Sequence, residues 1–190
     1  MAEDEGNLSE CNISWWNLLK TQIGRMVSGQ MIFITLGSQK FQYNRLLKAV
    51  DDLVERGVVT DEVFAQSGYS DYQPQHYKYK PFLDRDEFAE YETNADIVIT
   101  HGGTGAIVGA VKKGKKVIAV PRLAKYGEHV DDHQIQLIAQ FKNQNLICGL
   151  NDCREIADGL EFVRDHEFDS YESNTYTIIE NIEKFIRGEQ

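Results

Sequence analysis

The sequence predicts an α/β fold: a doubly wound, mainly parallel sheet with helices on both faces. Three observations carry that reading. Strand-length apolar runs recur at 31–36 (MIFITL), 95–100 (ADIVIT), 115–120 (KKVIAV) and 145–150 (NLICGL). Their apolar residues are consecutive rather than alternating, as in strands covered on both faces. Between them lie segments with apolar residues at helical spacing, the crossovers that parallel strands require. The chemistry-bearing loops follow directly on strand ends, which is where Rossmann-like sheets place their ligands.

From Met31 the elements follow in order. Strand 31–36 leads into the loop Gly37-Ser38-Gln39-Lys40. A helix then carries Leu46, Leu47, Val50, Leu53 and Val54 at helical period and closes at Gly57. A second strand near 62–66 and a third over 77–83 lead to a helix starting at Asp84. The fourth strand, 95–100, ends in His101-Gly102-Gly103-Thr104-Gly105, and a helix runs from there to about Lys113. Lysines 112, 113, 115 and 116 complement the negative end of that helix, and Gly114 ends it. Strand 115–120, Pro121 and a polar loop precede a helix over 131–143, strand 145–150 and two closing helices.

Residues 1–30 differ in character and are read as an appendage to a domain spanning 31–190. Within them Trp15, Trp16, Leu19, Ile23, Met26 and Val27 share one face of a short helix with Ser14 as N-cap. That face fits a partner, a membrane interface, the domain itself or an expression-derived extension, and the sequence does not choose among them.

Composition narrows the function. The chain has 190 residues, 42% hydrophobic, enough for one globular core. No apolar run approaches the length of about 18 residues needed to span a bilayer. The acidic, polar start is unlike a secretory signal, and Cys11, Cys148 and Cys153 read as reduced thiols, so a cytoplasmic location is expected. A net charge of −10 argues against nucleic acid as the partner.

The loop His101-Gly102-Gly103-Thr104-Gly105 joins a buried strand directly to a helix. Glycines let backbone N–H groups approach a ligand, and the positive helix end favours an anion. Thr104 adds a hydroxyl. A tight turn needing glycine for geometry alone is the competing account. The spacing is neither G-x-G-x-x-G nor a P-loop, so dinucleotide binding and ATP hydrolysis lose ground. Gly37 and Ser38 follow the first strand on the same edge. In the third loop, His129 and His133 with Glu128 and Asp132 superficially resemble metal ligands, but no HExxH pattern or distant third ligand accompanies them. No metal is assigned, and His129, Asp132, His133 and Gln134 are assigned to polar recognition of a sugar or ribose. Asp84-Arg85-Asp86 matches an Asp-x-Asp metal pattern, yet its place at a helix start makes Asp84 an N-cap.

The segment HGGTGAIVGAVKKGKKVIAVPRLAKYGEHVDDHQ resembles the C-terminal, donor-binding domain of the family 28 glycosyltransferases, and MIFITLGSQKFQYNRLLKAVD resembles its first strand, loop and helix. The likeness covers about 31–185 and is nearest to the small stand-alone members, the Alg13-like proteins and the PssE-type subunits of exopolysaccharide synthesis. It implies one half of a GT-B enzyme, a metal-independent transferase of a UDP-sugar with no cofactor. Gly102, Gly103, Thr104 and Gly105 would hold the diphosphate, Gly37 and Ser38 would line the cleft, and His133 and Gln134 would face the donor sugar. Many relatives carry a ribose-binding glutamate where this chain has Gly109, which puts ribose recognition in doubt. The catalytic base is expected on a partner half, an Alg14-like, membrane-attached subunit that presents a lipid-linked acceptor; His101 is the nearest candidate on this chain. Docking of that partner implies an apolar face and possible self-association of the isolated chain. The alternative is a non-catalytic nucleotide-sugar-binding or activating subunit of another transferase.

Overall fold

The computed structural model describes residues 29–173 together with 179, 180, 183, 184, 186 and 187. The segment around Trp15 and Trp16, Cys11, and most of the last expected helix lie outside the described residues.

Six strands form one parallel sheet: β1 (Met31–Thr35), β2 (Glu62–Gln66), β3 (Lys78–Lys80), β4 (Ile97–His101), β5 (Lys116–Val120) and β6 (Cys148–Gly149). Their spatial order is β3-β2-β1-β4-β5-β6. Among the described residues the α-helices that connect or follow them are α1 (Asn44–Glu55), α2 (Arg85–Asn94), α3 (Thr104–Lys112), α4 (His133–Asn143) and α5 (Ile156–Asp165).

The consecutive apolar runs have the cause expected of them. Side chains alternate across a strand, so a strand with helices above and below must be apolar at every position. Ile32, Ile34, Ile97, Ile99, Ile118 and Val120 face α1 and α5, meeting Leu46, Leu47, Val50, Ile156, Leu160 and Val163. Phe33, Val98, Val117 and Ala119 face the other way, onto Ile107, Ala110 and Val111 of α3 and Ile138 of α4. Phe33 meets Phe88 of α2 edge-on at 5.4 Å, and Phe64 stacks on Tyr91 at 3.8 Å. Each buried Val, Leu, Ile or Phe among them contributes about 1.5–3 kcal/mol by burial.

The start of α2 is capped as its sequence suggests. Asp84 accepts hydrogen bonds from the amides of Asp86 and Glu87, both at 2.9 Å, and Glu87 reaches back to the Asp84 amide. Asp84-Arg85-Asp86 is therefore a capping box.

Two strands are shorter than the segments expected to form them. Of 77–83 only Lys78–Lys80 is strand, because β3 is an edge strand and Pro81 cannot donate to a ladder. Of 145–150 only Cys148–Gly149 is strand, at the opposite edge. There α4 packs so closely that a Cβ on Gly149 would stand 2.6 Å from Ile138.

The strand order runs outward in both directions from the β1–β4 pair. That pair is the topological switch point, and the crevice beyond its carboxyl ends is where such sheets bind ligands.

Candidate functional site

Three loops meet beyond the switch point. The first leaves β1 through Leu36, Gly37 and Ser38, with Gly37 in the left-handed region at φ 70°. The second is His101-Gly102-Gly103 between β4 and α3. The third runs from Pro121 to Asp132 between β5 and α4.

His101 is the hub of the first two. Its ring lies buried between glycines: a Cβ on Gly37 would come within 2.8 Å of its Cε1, and one on Gly103 within 2.4 Å of its Nε2. Both glycines thus make room for an imidazole. Thr100 Oγ1 donates to the Thr35 carbonyl at 2.9 Å and lies 3.4 Å from His101 Nδ1, which ties β4 to β1 at this point. Burial pushes the His101 pKa down to about 4, and the Arg122 charge adds to that. The imidazole is neutral at pH 7.

Gly102 is equally occupied. Its amide donates to Gln134 Oε1 at 3.0 Å, and its missing Cβ leaves space for the Gln134 side chain, which would otherwise stand 2.6 Å away. The same Gln134 oxygen accepts the Arg122 amide at 3.0 Å. Gln134 is buried, and its oxygen joins the second loop to the third.

The open groups lie one step further on. No side chain caps α3, so the amides of its first turn, at Thr104, Gly105 and Ala106, point outward unpaired by the helix. Thr104 and Gly105 are exposed, and nothing lies within 4 Å of the position a Gly105 Cβ would take. Ser38 is exposed on the neighbouring loop. This arrangement suits an anion: amides, hydroxyls and a positive helix end, with no carboxylate bonded to them among the described residues.

The third loop is held from within. Fully buried Glu128 accepts from Arg45 Nε at 3.0 Å, Arg45 Nη2 at 2.9 Å and the Leu123 amide at 3.0 Å. Asp132 Oδ1 accepts the Ala124 amide at 2.8 Å. The Tyr43 hydroxyl lies 3.0 and 2.9 Å from the Val120 and Pro121 carbonyls.

The model for the glycosyltransferase family 28 C-terminal domain matches residues 31–181. The chain belongs to this family. Solved structures share the fold. The glycosyltransferase of kitacinnamycin matches with a TM-score of 0.55 at 13% identity over 72% of this chain and 35% of its own. MurG of Acinetobacter baumannii gives 0.51 at 17% over 76% and 44%. ALG13, solved by NMR, gives 0.52 at 14% over 83% of this chain and 96% of its own. The chain therefore spans about a third of the length of the first of these proteins. No curated protein matches it.

Within this family 28 domain the sequence-derived residues fall into two groups. Ser38, Thr104 and Gly105 border the open α3 terminus. Gly37, Gly102, Gly103, Gln134 and Asp132 are bonded or packed inside the loop framework. His129 and His133 each bring Nδ1 to the same oxygen of Asp131, the first at 3.2 Å, and their rings meet at 4.9 Å. The three ligand atoms lie within 4.8 Å of one another, a set able to hold a divalent cation. As they stand, the two imidazoles are spent on Asp131. Gly109 faces α2, where a Cβ would meet Glu92 Oε1 at 3.4 Å. That carboxylate is buried and paired with Lys113 at 2.6 Å.

No sequence pattern singles out Arg122, Tyr69 or Phe82. Arg122 is 1% exposed, against the ordinary habit of arginine. Tyr69 and Phe82 are exposed, follow β2 and β3, and pack edge-on at 5.1 Å. Gly68 places them beside the first loop: its amide donates to the Pro81 carbonyl at 2.8 Å, and its Cβ would stand 3.0 Å from the Gly37 oxygen.

Proposed function

We propose that this chain is the donor-binding half of a metal-independent glycosyltransferase that uses a UDP-sugar. The observation that carries the reading is the uncapped, ligand-accessible start of α3 at the switch point of a family 28 domain. The diphosphate sits on the amides of Thr104, Gly105 and Ala106, with the hydroxyls of Thr104 and Ser38 beside it. The Tyr69–Phe82 pair, on the same edge, supplies an apolar platform for the base.

The acceptor hydroxyl attacks the anomeric carbon, the bond from that carbon to the diphosphate oxygen breaks, and the acceptor proton passes to a base. Donors already aimed at the departing diphosphate stabilise the charge as it develops. Glu128, Glu92 and Asp132 are each engaged in the framework, and His101 is buried and only weakly basic, its pKa held down at about 4, so the base belongs on a second half. That half is a separate, Alg14-like, membrane-attached subunit that presents a lipid-linked acceptor and brings this domain to the cytoplasmic face of a membrane. Likeness to ALG13 over 96% of that chain supports a domain of this extent working as one half. A PssE-type role in exopolysaccharide synthesis fits the same arrangement. The domain begins near residue 31, with residues 1–30 as its appendage.

The test is calorimetric titration of the full chain with UDP, UDP-GlcNAc, UDP-galactose and UDP-glucose, first with chelator and then with magnesium. Binding of UDP in chelator, abolished in Gly105→Asp, is the expected result. The substitution projects a carboxylate into open space at a helix start, where negative charge favours the helix, so loss of binding is not loss of fold. Absence of UDP binding, or binding that Gly105→Asp leaves intact, refutes the proposed site.

A further inference from the structure

Arg122 is the charged residue with the strangest position in the molecule. It is 1% exposed, it follows β5 by two residues, and only part of its guanidinium is used. Nη2 donates to the Leu36 carbonyl at 2.7 Å, directly before Gly37. Nε and Nη1 are buried with no hydrogen-bond partner. Among the described residues no carboxylate forms an ion pair with it: the nearby Glu128 is bonded to Arg45. The face of Tyr43 lies 5.5 Å from the guanidinium carbon. A buried cation with two idle donors and no directly bonded carboxylate is unfavourable unless something else uses the charge.

Its backbone and side chain touch all three loops of the crevice. The Arg122 amide shares Gln134 Oε1 with the Gly102 amide, and the guanidinium holds the carbonyl before Gly37. The charge therefore lies beneath the Gly37–Ser38 turn and beside His101, whose ring fills the space between Gly37 and Gly103. The two positive sources, the α3 terminus and Arg122, both lie at this carboxyl edge of the sheet, and no described carboxylate bonds to the guanidinium.

We propose that Arg122 is a buried positioning cation for the diphosphate: it tethers the three loops and supplies, through the loop layer, the positive potential that a divalent metal supplies in other transferases. The inference rests on the donor-site reading above. Arg122 does not touch the ligand. Because the field of a buried charge is screened less than that of a surface one, it favours a ligand of higher negative charge. The signature is selectivity: the diphosphate gains over the monophosphate, while the uncharged nucleoside gains nothing.

The experiment compares the full chain with Arg122→Met and Arg122→Lys, titrated with uridine, UMP and UDP, alongside NMR titration of the His101 ring. Thermal unfolding and amide spectra establish which variants are folded. In the unsubstituted chain UDP binds more tightly than UMP. Arg122→Met is expected to weaken UDP by about tenfold or more relative to UMP, leave uridine unchanged and raise the His101 pKa; Arg122→Lys retains most of the selectivity. Equal weakening of all three ligands means that Arg122 only holds loops together and overturns the proposal. So does an unchanged His101 titration in a folded Arg122→Met chain, a result that needs no ligand. If the unsubstituted chain binds none of the three, the donor-site reading itself falls and this inference with it.

Discussion

Two glycines two residues apart in one motif should respond oppositely to the same substitution. A Cβ on Gly103 would stand 2.4 Å from His101 Nε2, 3.0 Å from Cε1 and 3.1 Å from Cδ2. The ring has little room to shift, because Gly37 crowds the same Cε1–Nε2 end, with a hypothetical Cβ 2.8 Å from Cε1 and 3.3 Å from Nε2. Gly103 has an ordinary extended backbone, φ −82° and ψ 120°, so the conflict is steric and not conformational. Overpacking of this kind costs about 1–3 kcal/mol. In a chain of this size about 2 kcal/mol lowers Tm by ~4–8 °C. At Gly105 the Cβ meets nothing within 4 Å, and the residue lies in the first turn of α3. Gly105→Ala should therefore stabilise by about 0.5–1 kcal/mol, through lost freedom of the unfolded chain. Urea denaturation followed by circular dichroism measures both. His101→Ala supplies the control: combined with Gly103→Ala, it should remove most of the Gly103→Ala penalty as a coupling energy. If Gly103→Ala is as stable as the unsubstituted chain, or if its penalty survives removal of the imidazole, glycine at 103 does not serve the ring and the packing argument is wrong.

Other consequences follow from the buried charges. Glu128→Ala leaves Arg45 and Arg122 without their nearest carboxylate, and should cost about 3–5 kcal/mol, read as a fall in the urea midpoint at constant slope. A Glu128→Ala chain of normal stability would show that the third loop is held by something else. The depressed pKa of His101, about 4, makes stability pH-dependent in one direction. The unfolded chain binds the proton more readily, with an ordinary pKa near 6.5, so this contribution is whole above that pH. It declines by up to about 1.4 kcal/mol per pH unit as pH falls from there toward 4. His101→Gln should flatten that part of the profile, and equal slopes in the two proteins would contradict a buried neutral imidazole.

The fold was legible because its signal is redundant. Four apolar runs, each bounded by a loop and followed by a helical pattern, leave few topologies open once connections are parallel and doubly wound. The elements that were misjudged in extent are the two edge strands. An apolar run registers burial, but a ladder needs a partner on at least one side and free amides along it. At 77–83 Pro81 withdraws a donor, and at 145–150 there is no neighbour beyond β6. Residues such as Leu146, Ile147 and Leu150 are buried under helices without being strand.

The site was less legible, and for a physical reason. Glycine in a loop announces that a Cβ would be in the way, not what it would strike. Read alone, Gly102-Gly103 suits both a phosphate and a tight turn, and the structure shows Gly103 against His101 and Gly102 against Gln134. His101, Arg122 and Gln134 stand 21 and then 12 residues apart along the chain, and sequence carries no sign that one imidazole, one guanidinium and one amide knit three loops together. Their polar side chains also look like ligand contacts until their hydrogen bonds are counted. Gln134 Oε1 already accepts two amides, and Asp132 Oδ1 accepts one. On the proposed donor site, what is left for a ligand is found by subtraction: once the framework has taken its share, the α3 amides and the Thr104 and Ser38 hydroxyls remain, with the buried Arg122 charge behind them. That remainder is smaller than the motif suggested and better defined. It makes Gly105, rather than Gly103, the position at which an added carboxylate separates binding from folding.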